Sequence, residues 1–200
     1  MPSFSLAVPE SWWEFDVRPE GREATIRTLV DERVRDMPEL APYRSDLSSM
    51  LRKMAKDAHD SGALYLGCMA ENFDGVPLSA TLTVSILGAR NKQGVPLSTD
   101  PRAIADSLRT ITPRREGDAW RKVTTVEIPE VGPAARTYGV EDVPVAQGDS
   151  RTLRMVLTQT YIPVTGTTDQ VLVSGASPVL DLAEAFHDIF DAVTSTFRFI

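Results

Sequence analysis

The chain is poor in the residues that most often carry chemistry or covalent staples: one cysteine, Cys68, and two histidines, His59 and His187, in 200 residues. A single thiol cannot close an intramolecular disulfide, which excludes a disulfide scaffold. Two imidazoles leave few ways to pair a nucleophile with a base. Long apolar runs are also missing, and none approaches the roughly 20 residues that a bilayer-spanning helix needs. The opening Met1-Pro2-Ser3-Phe4-Ser5 has neither the basic leader nor the apolar stretch of a secretory signal, so a cytoplasmic location without membrane insertion is expected. Basic charge is in deficit, with 21 Lys and Arg against 28 Asp and Glu and a formal charge of −7. That speaks against general nucleic-acid binding, whose affinity comes mostly from cations on the phosphate backbone.

Phosphate cradles are lacking as well. Gly88-Ala89-Arg90-Asn91-Lys92-Gln93-Gly94 places its Lys before the second Gly and has no following Ser or Thr, and there is no Gly-x-Gly-x-x-Gly. Val173-Ser174-Gly175-Ala176-Ser177 is not a nucleophile elbow, because its serines are misplaced and no second Gly follows. No motif states an activity.

At 42% hydrophobic and 24% charged the chain has the balance of an ordinary globular protein. It contains no interdomain linker and no internal repeat, so residues 1–200 read as a single domain. Phe4, Leu6 and Val8 alternate before Pro9 as a short strand. Pro19 opens a helix with Ile26, Leu29, Val30, Val34 and Met37 on one face, and Pro38 ends it. Leu47, Met50, Leu51, Met54 and Ala58 mark a second helix running to Gly62, a natural C-terminal cap. Residues 64–69 form an apolar strand, and Asp74-Gly75 fits a tight hairpin turn. Val76, Leu78, Ala80, Leu82, Val84 and Ile86 then alternate with Pro77, Ser79, Thr81, Thr83 and Ser85, which makes one face buried and one wet.

Beyond a polar loop, Asp100-Pro101 starts a short helix through Ile104 and Leu108. Strands at 123–128, 134–140, 152–164 and 170–174 follow as an antiparallel meander, the third with apolar residues on both faces like a central strand. A final helix after Ser177-Pro178 carries Leu182, Phe186, Ile189, Phe190, Val193 and Phe197 as one stripe. Helices before, within and after antiparallel strands predict an α+β fold: a single antiparallel sheet sandwiched by helices.

This element order resembles the PsbP-like superfamily. The carriers are the opening Phe4-Ser5-Leu6-Ala7-Val8-Pro9 with aromatics just behind, the long alternating hairpin, and the closing Val171-Leu172-Val173 strand. The last carrier is the helix that ends Val193-Thr194-Ser195-Thr196-Phe197-Arg198-Phe199. The resemblance implies the fold and a non-enzymatic binding or assembly role, and it transfers no residue. The Val8-Pro9-Glu10-Ser11-Trp12-Trp13 opening and the terminal helix also look like small cytoplasmic actinobacterial proteins, some of them neighbours of type VII secretion components. That likeness implies an accessory or adaptor of a secretion system.

The polar constellations read blandly. Glu184, His187, Asp188 and Asp191 share a helix face opposite the Phe186/Phe190 stripe, but one Glu-x-x-His is half of a di-iron arrangement, so the face reads as solvated and no metal or cofactor is expected. Cys68, inside an apolar strand with no cation nearby, reads as buried and inert. The adjacent carboxylates Glu141-Asp142 and Glu130 carry little weight in so acidic a chain.

Charge distribution says more. Residues 88–122 hold eight basic and four acidic groups, an island that includes Arg90, Lys92, Arg109, Arg114, Arg115, Arg121 and Lys122 around Trp120. Such charge commonly only balances an acidic remainder, while Arg with Trp is also the composition of a docking anchor. Trp12 and Trp13, being adjacent, point to opposite sides of an extended backbone. A covering loop or helix is the commoner fate for both. An exposed Trp13 beside Phe15 is a candidate contact.

The expected function is a non-enzymatic protein-interaction or assembly module with no catalytic residues. Its candidate partner-binding residues are Trp13, Arg114, Arg115, Trp120 and Arg121, and the same surface offers a route to homo-oligomers. The alternative is a small-molecule binder or enzyme with a pocket between the sheet and the N-terminal helices, where an Arg or His59 holds an anionic ligand.

Overall fold

The computed structural model describes residues 3–73, 76–88, 98–144 and 150–200. Its elements are β1 (Phe4–Ser5), β2 (Trp13–Phe15), α1 (Pro19–Asp36), α2 (Arg44–Asp60), β3 (Ala63–Phe73), β4 (Val76–Leu87), α3 (Pro101–Ser107), β5 (Trp120–Ile128), β6 (Gly132–Pro144), β7 (Thr152–Pro163), β8 (Gln170–Ser177), α4 (Ala183–Ser195) and β9 (Arg198–Phe199). Seven strands form one sheet in the order β2-β3-β4-β8-β7-β6-β5, with every neighbouring pair antiparallel. The expectation of a single sheet needs correction, because β1 and β9 pair with each other as a second, two-stranded sheet. Phe4 stacks on Phe197 at 5.7 Å between ring centroids, and Ile200 N–H donates to the Ser3 carbonyl at 2.9 Å.

Local chemistry accounts for the element ends. α1 has Pro19 in its first turn and buries Ile26 and Val30. At the end of α2, Gly62 adopts φ +87°, a left-handed conformation that costs Gly little, and its N–H donates to the His59 carbonyl. Asp100 caps α3 by accepting from the Arg102 N–H at 3.0 Å. The final helix starts later than its sequence pattern predicts: a 3-10 turn, Leu180–Leu182, precedes α4, and Leu182 is exposed instead of joining the stripe. The Asp74-Gly75 turn and most of the 88–94 loop lie outside the described residues.

Alternation along the strands gives the sheet two unlike faces. On the first, α4 lies across β6, β7 and β8. Phe186, Phe190, Val193 and Phe197 pack there against Leu82, Val84, Val156, Ile162, Val171 and Val173. Gly175 makes the close approach feasible, since a Cβ at that position would enter the Phe190 ring. Each fully buried Phe or Leu on this face contributes about 1.5–3 kcal/mol.

Among the described residues, elements cover the second face at its two sides. At one, α1 and α2 bury Val17, Ile26, Val30, Leu51 and Ala55 against Trp13, Leu66 and Cys68. At the other, α3 contacts β5, β6 and β7, where Ala135 and Thr137 are buried. Across the middle, Ser79, Thr81, Thr83 and Ser85 of β4, Leu172, Ser174 and Ala176 of β8, and Met155, Leu157 and Gln159 of β7 are all only half-buried. No helix among the described residues is long and apolar enough to cross a membrane.

Candidate functional site

The open strip of the second face deepens into an apolar cleft of about 210 Å³ where α2 leans over the sheet. Met50 and Met54, one turn apart on α2, form one wall, and Met155 with Pro178 forms the other. Trp13 and Cys68 close the inner end, and Ser79, Thr81 and Ala176 pave the floor. Met50 is 43% exposed at the rim. Leu153, two residues from Met155 and on the same side of β7, is 49% exposed, and Leu180 just beyond Pro178 is 39% exposed. The cleft therefore opens onto an apolar rim. Met is suited to such a surface, because its unbranched thioether repacks readily around different shapes.

One cross-strand row traverses this face: Trp13, Cys68, Thr81, Ala176, Leu157, Gly139 and Arg121 lie opposite one another from β2 to β5. Six strand spacings make the row roughly 29 Å long. It brings two of the sequence-predicted residues, Trp13 and Arg121, to opposite ends of one surface. Neither is a free anchor. Trp13 is 6% exposed beneath α1, with the Arg33 guanidinium over its ring at 5.5 Å, so an exposed Trp13 contact is corrected: only its edge reaches the cleft. Trp12 packs in the opposite core, as adjacent strand residues must. Arg121 donates from Nε to Glu141 at 2.7 Å, and its guanidinium closes an ion pair with the same carboxylate. Hydrogen bonding and charge from Glu141 raise the Arg121 pKa further. Glu141 is buried while Arg121 keeps 26% of its side chain exposed, so the pair sits at the margin of the fold.

Trp120 points the other way. On the α4 face it meets Tyr138 edge-on at 6.1 Å and His187 at 5.9 Å, with Lys122 over both Trp120 and Tyr138. The Arg/Trp patch is thus split by strand alternation: Trp120 and Arg121 occupy opposite sides of β5. Arg114 and Arg115 lie in the preceding turn, where their backbone N–H groups donate to Asp118 at 3.1 and 2.9 Å. Their exposed guanidinium groups make no ion pair or hydrogen bond among the described residues. Arg90 and Lys92 lie outside the described residues.

The acidic face of α4 is less solvated than its spacing predicts. Asp191 pairs with Arg136, a buried arginine that also donates from Nε to Thr160 at 2.9 Å. His187 Nδ1 is 2.8 Å from the Thr158 hydroxyl, its Nε2 is buried without a partner among the described residues, and burial lowers its pKa against the opposing pull of Asp188 and Glu184. Glu184, Asp188 and Asp191 all stay at the surface, and of the three Asp191 reaches back to Arg136. His59 lines a broad hollow beside Glu14, Asp16, Arg18, Glu20 and Tyr65. Arg18 is engaged there by Asp16 at 2.6 Å, and Tyr65 donates to Glu14 at 2.8 Å. Carboxylates dominate that hollow, so it does not suit the anionic ligand expected of His59 and an Arg.

Burial pushes the Cys68 thiol up to about 12, which keeps it protonated and unreactive at neutral pH. Among the described residues no group of three or more His, Cys, Asp and Glu is arranged to hold a metal ion. Sequence reasoning offered a pocket between the sheet and the N-terminal helices as its alternative, and missed the methionines that line this one. Met50 and Met54 appear in the α2 pattern and Met155 in the β7 pattern, but only the strand order brings β7 opposite α2.

No family model matches the chain, and no curated protein matches it either.

Proposed function

We propose that the chain is a non-enzymatic interaction module of the PsbP-like kind that its element order resembles. It docks a protein partner along the half-open second face of the sheet, anchored in the methionine-lined cleft. An accessory role beside a secretion system is the narrowest form of this reading.

The observation that carries it is an apolar cleft with an exposed rim of Met50, Leu153 and Leu180 on a sheet whose other face is packed beneath α4. Size favours a side chain over a free ligand: about 210 Å³ falls below the roughly 300–1,000 Å³ usual for small-molecule sites. Polar chemistry nearby is turned inward. Arg121 is committed to Glu141, and Cys68 is held as the thiol. A partner segment with one apolar anchor and an acidic flank suits the surface, since the anchor fills the cleft and the flank faces Arg114 and Arg115.

The test is affinity capture with the native chain and with Met50→Lys/Met155→Lys, two partly exposed positions where the variant folds. Loss of the captured partner in the double variant supports the docking site, and undiminished capture overturns it. A second reading, a small-molecule binder with its pocket between the sheet and α2, rests on the same cleft. Thermal-shift screening separates the two, because a ligand at 100 times its dissociation constant stabilises by about 2.7 kcal/mol and the double variant abolishes that shift.

A further inference from the structure

We propose that β5 pairs with β5 of a second copy of this chain, antiparallel about a two-fold axis at Thr125, to join two seven-stranded sheets into one. This surface is separate from the methionine cleft.

The argument starts from which backbone groups of β5 are used. β5 is the last strand of the sheet, and its inner side pairs with β6 from Trp120 opposite Val140 to Ile128 opposite Gly132. On the outer side, Arg121 exchanges two hydrogen bonds of 2.9 Å with Ile111. That bridge fixes the phase of the edge, since backbone groups of an antiparallel strand face alternate sides. With Arg121 outward, Val123, Thr125 and Glu127 are outward too. No backbone hydrogen bond reaches these three from the outer side among the described residues. Among the described residues the Thr125 carbonyl is met only by the neighbouring Thr124 hydroxyl, at 3.2 Å. Thr125 and Glu127 are exposed, and an open hollow of about 590 Å³ lies between them and Asp100–Arg102.

Three outward residues in a row are self-complementary. Placed antiparallel with Thr125 opposite Thr125, Val123 of each copy faces Glu127 of the other, so each outward N–H and C=O meets its counterpart. The ends of the open stretch match as well. Lys122 falls opposite Ile128, the last residue of β5, and Arg121, already taken by Ile111, falls opposite Pro129, which has no N–H to offer. No other symmetric register uses all three outward residues and avoids the Ile111 bridge.

Charge agrees with this register. Glu127 is diagonal to Arg121 of the other copy on the same face, within reach of long side chains, and the two-fold repeats the contact. Each Arg121 would then lie between its own Glu141 and the second copy's Glu127. Single-sign repulsion, the usual guard on an exposed edge, is absent from the paired stretch.

Sedimentation velocity over a concentration series, with Thr125→Pro and Thr125→Cys, tests the proposal. Among the described residues the Thr125 N–H donates to no backbone group, so Thr125→Pro keeps the native circular dichroism and melting behaviour and weakens self-association at least tenfold. Under mild oxidation Thr125→Cys links two copies covalently. Val123→Cys, four residues off its own mate, does not, nor does the native chain, whose Cys68 is buried. A monomeric mass at every concentration overturns the proposal, as does a dimer that survives Thr125→Pro or a cross-link that favours position 123.

Discussion

The two faces of the seven-stranded sheet are built from the same strands and end in different states. Under α4, every alternate residue of β4, β7 and β8 between Ala80 and Val84, Val156 and Ile162, and Val171 and Val173 is buried. On the reverse, the intervening residues of those strands are half-exposed, and many are Ser or Thr. The first face holds the fold together. The second adds a smaller core under α1 and α2, while its half-buried middle strip does little for stability and is free to meet another molecule. An apolar cleft at its edge is therefore more informative than the same cleft would be on a fully covered sheet.

Substitutions can break or sharpen that contrast. The largest effect is expected for Phe190→Ala: the ring is fully buried over Gly175 and its loss leaves a cavity, so chemical denaturation should show a loss of about 3–5 kcal/mol. Asp191→Ala comes next. It removes the carboxylate from Arg136, which is buried and among the described residues keeps only Thr160, but Asp191 itself is well exposed, so the loss should be nearer 2 kcal/mol.

A smaller effect on the same face is pH-dependent. Burial lowers the folded-state pKa of His187 below its unfolded value of 6.5. The unfolded chain then binds the proton first, so His187 contributes stability in full above 6.5, and that contribution is lost as pH falls toward its lowered folded value. His187→Gln should flatten the fall in melting temperature across that window, measured by calorimetry. The second face should answer least. Thr81→Val on the half-exposed floor should change stability by no more than about 0.5 kcal/mol, while Met50→Lys/Met155→Lys weakens partner capture. A Thr81→Val loss as large as that of Phe190→Ala would show that the two faces share the load and would remove the contrast.

Much of this architecture is legible residue by residue. The 76–86 alternation names the packed side of β4 correctly, with Ala80, Leu82 and Val84 inward. The spacing of Phe186, Phe190 and Val193 names the face that α4 buries, and Phe197 joins the same core from just beyond the helix end. The opposite fates of Trp12 and Trp13 follow from adjacency alone. The candidate patch around Trp120 was harder to read, because residues 120–122 are polar enough to pass for loop. In the structure they begin β5, and the alternation that separates Trp12 from Trp13 also separates Trp120 from Arg121. Leu182 fails for a different reason, since the 3-10 turn at Leu180–Leu182 rotates it out of the α4 stripe.

Amino-acid order by itself determined the helices, most of the strands and the buried side of each, because periodicity, caps and prolines act over a few residues. Tertiary structure alone decided the strand order that sets β8 between β4 and β7, the meeting of Met50 with Met155, and the outer edge left to β5. Those depend on contacts between residues distant along the chain, and no local pattern encodes them.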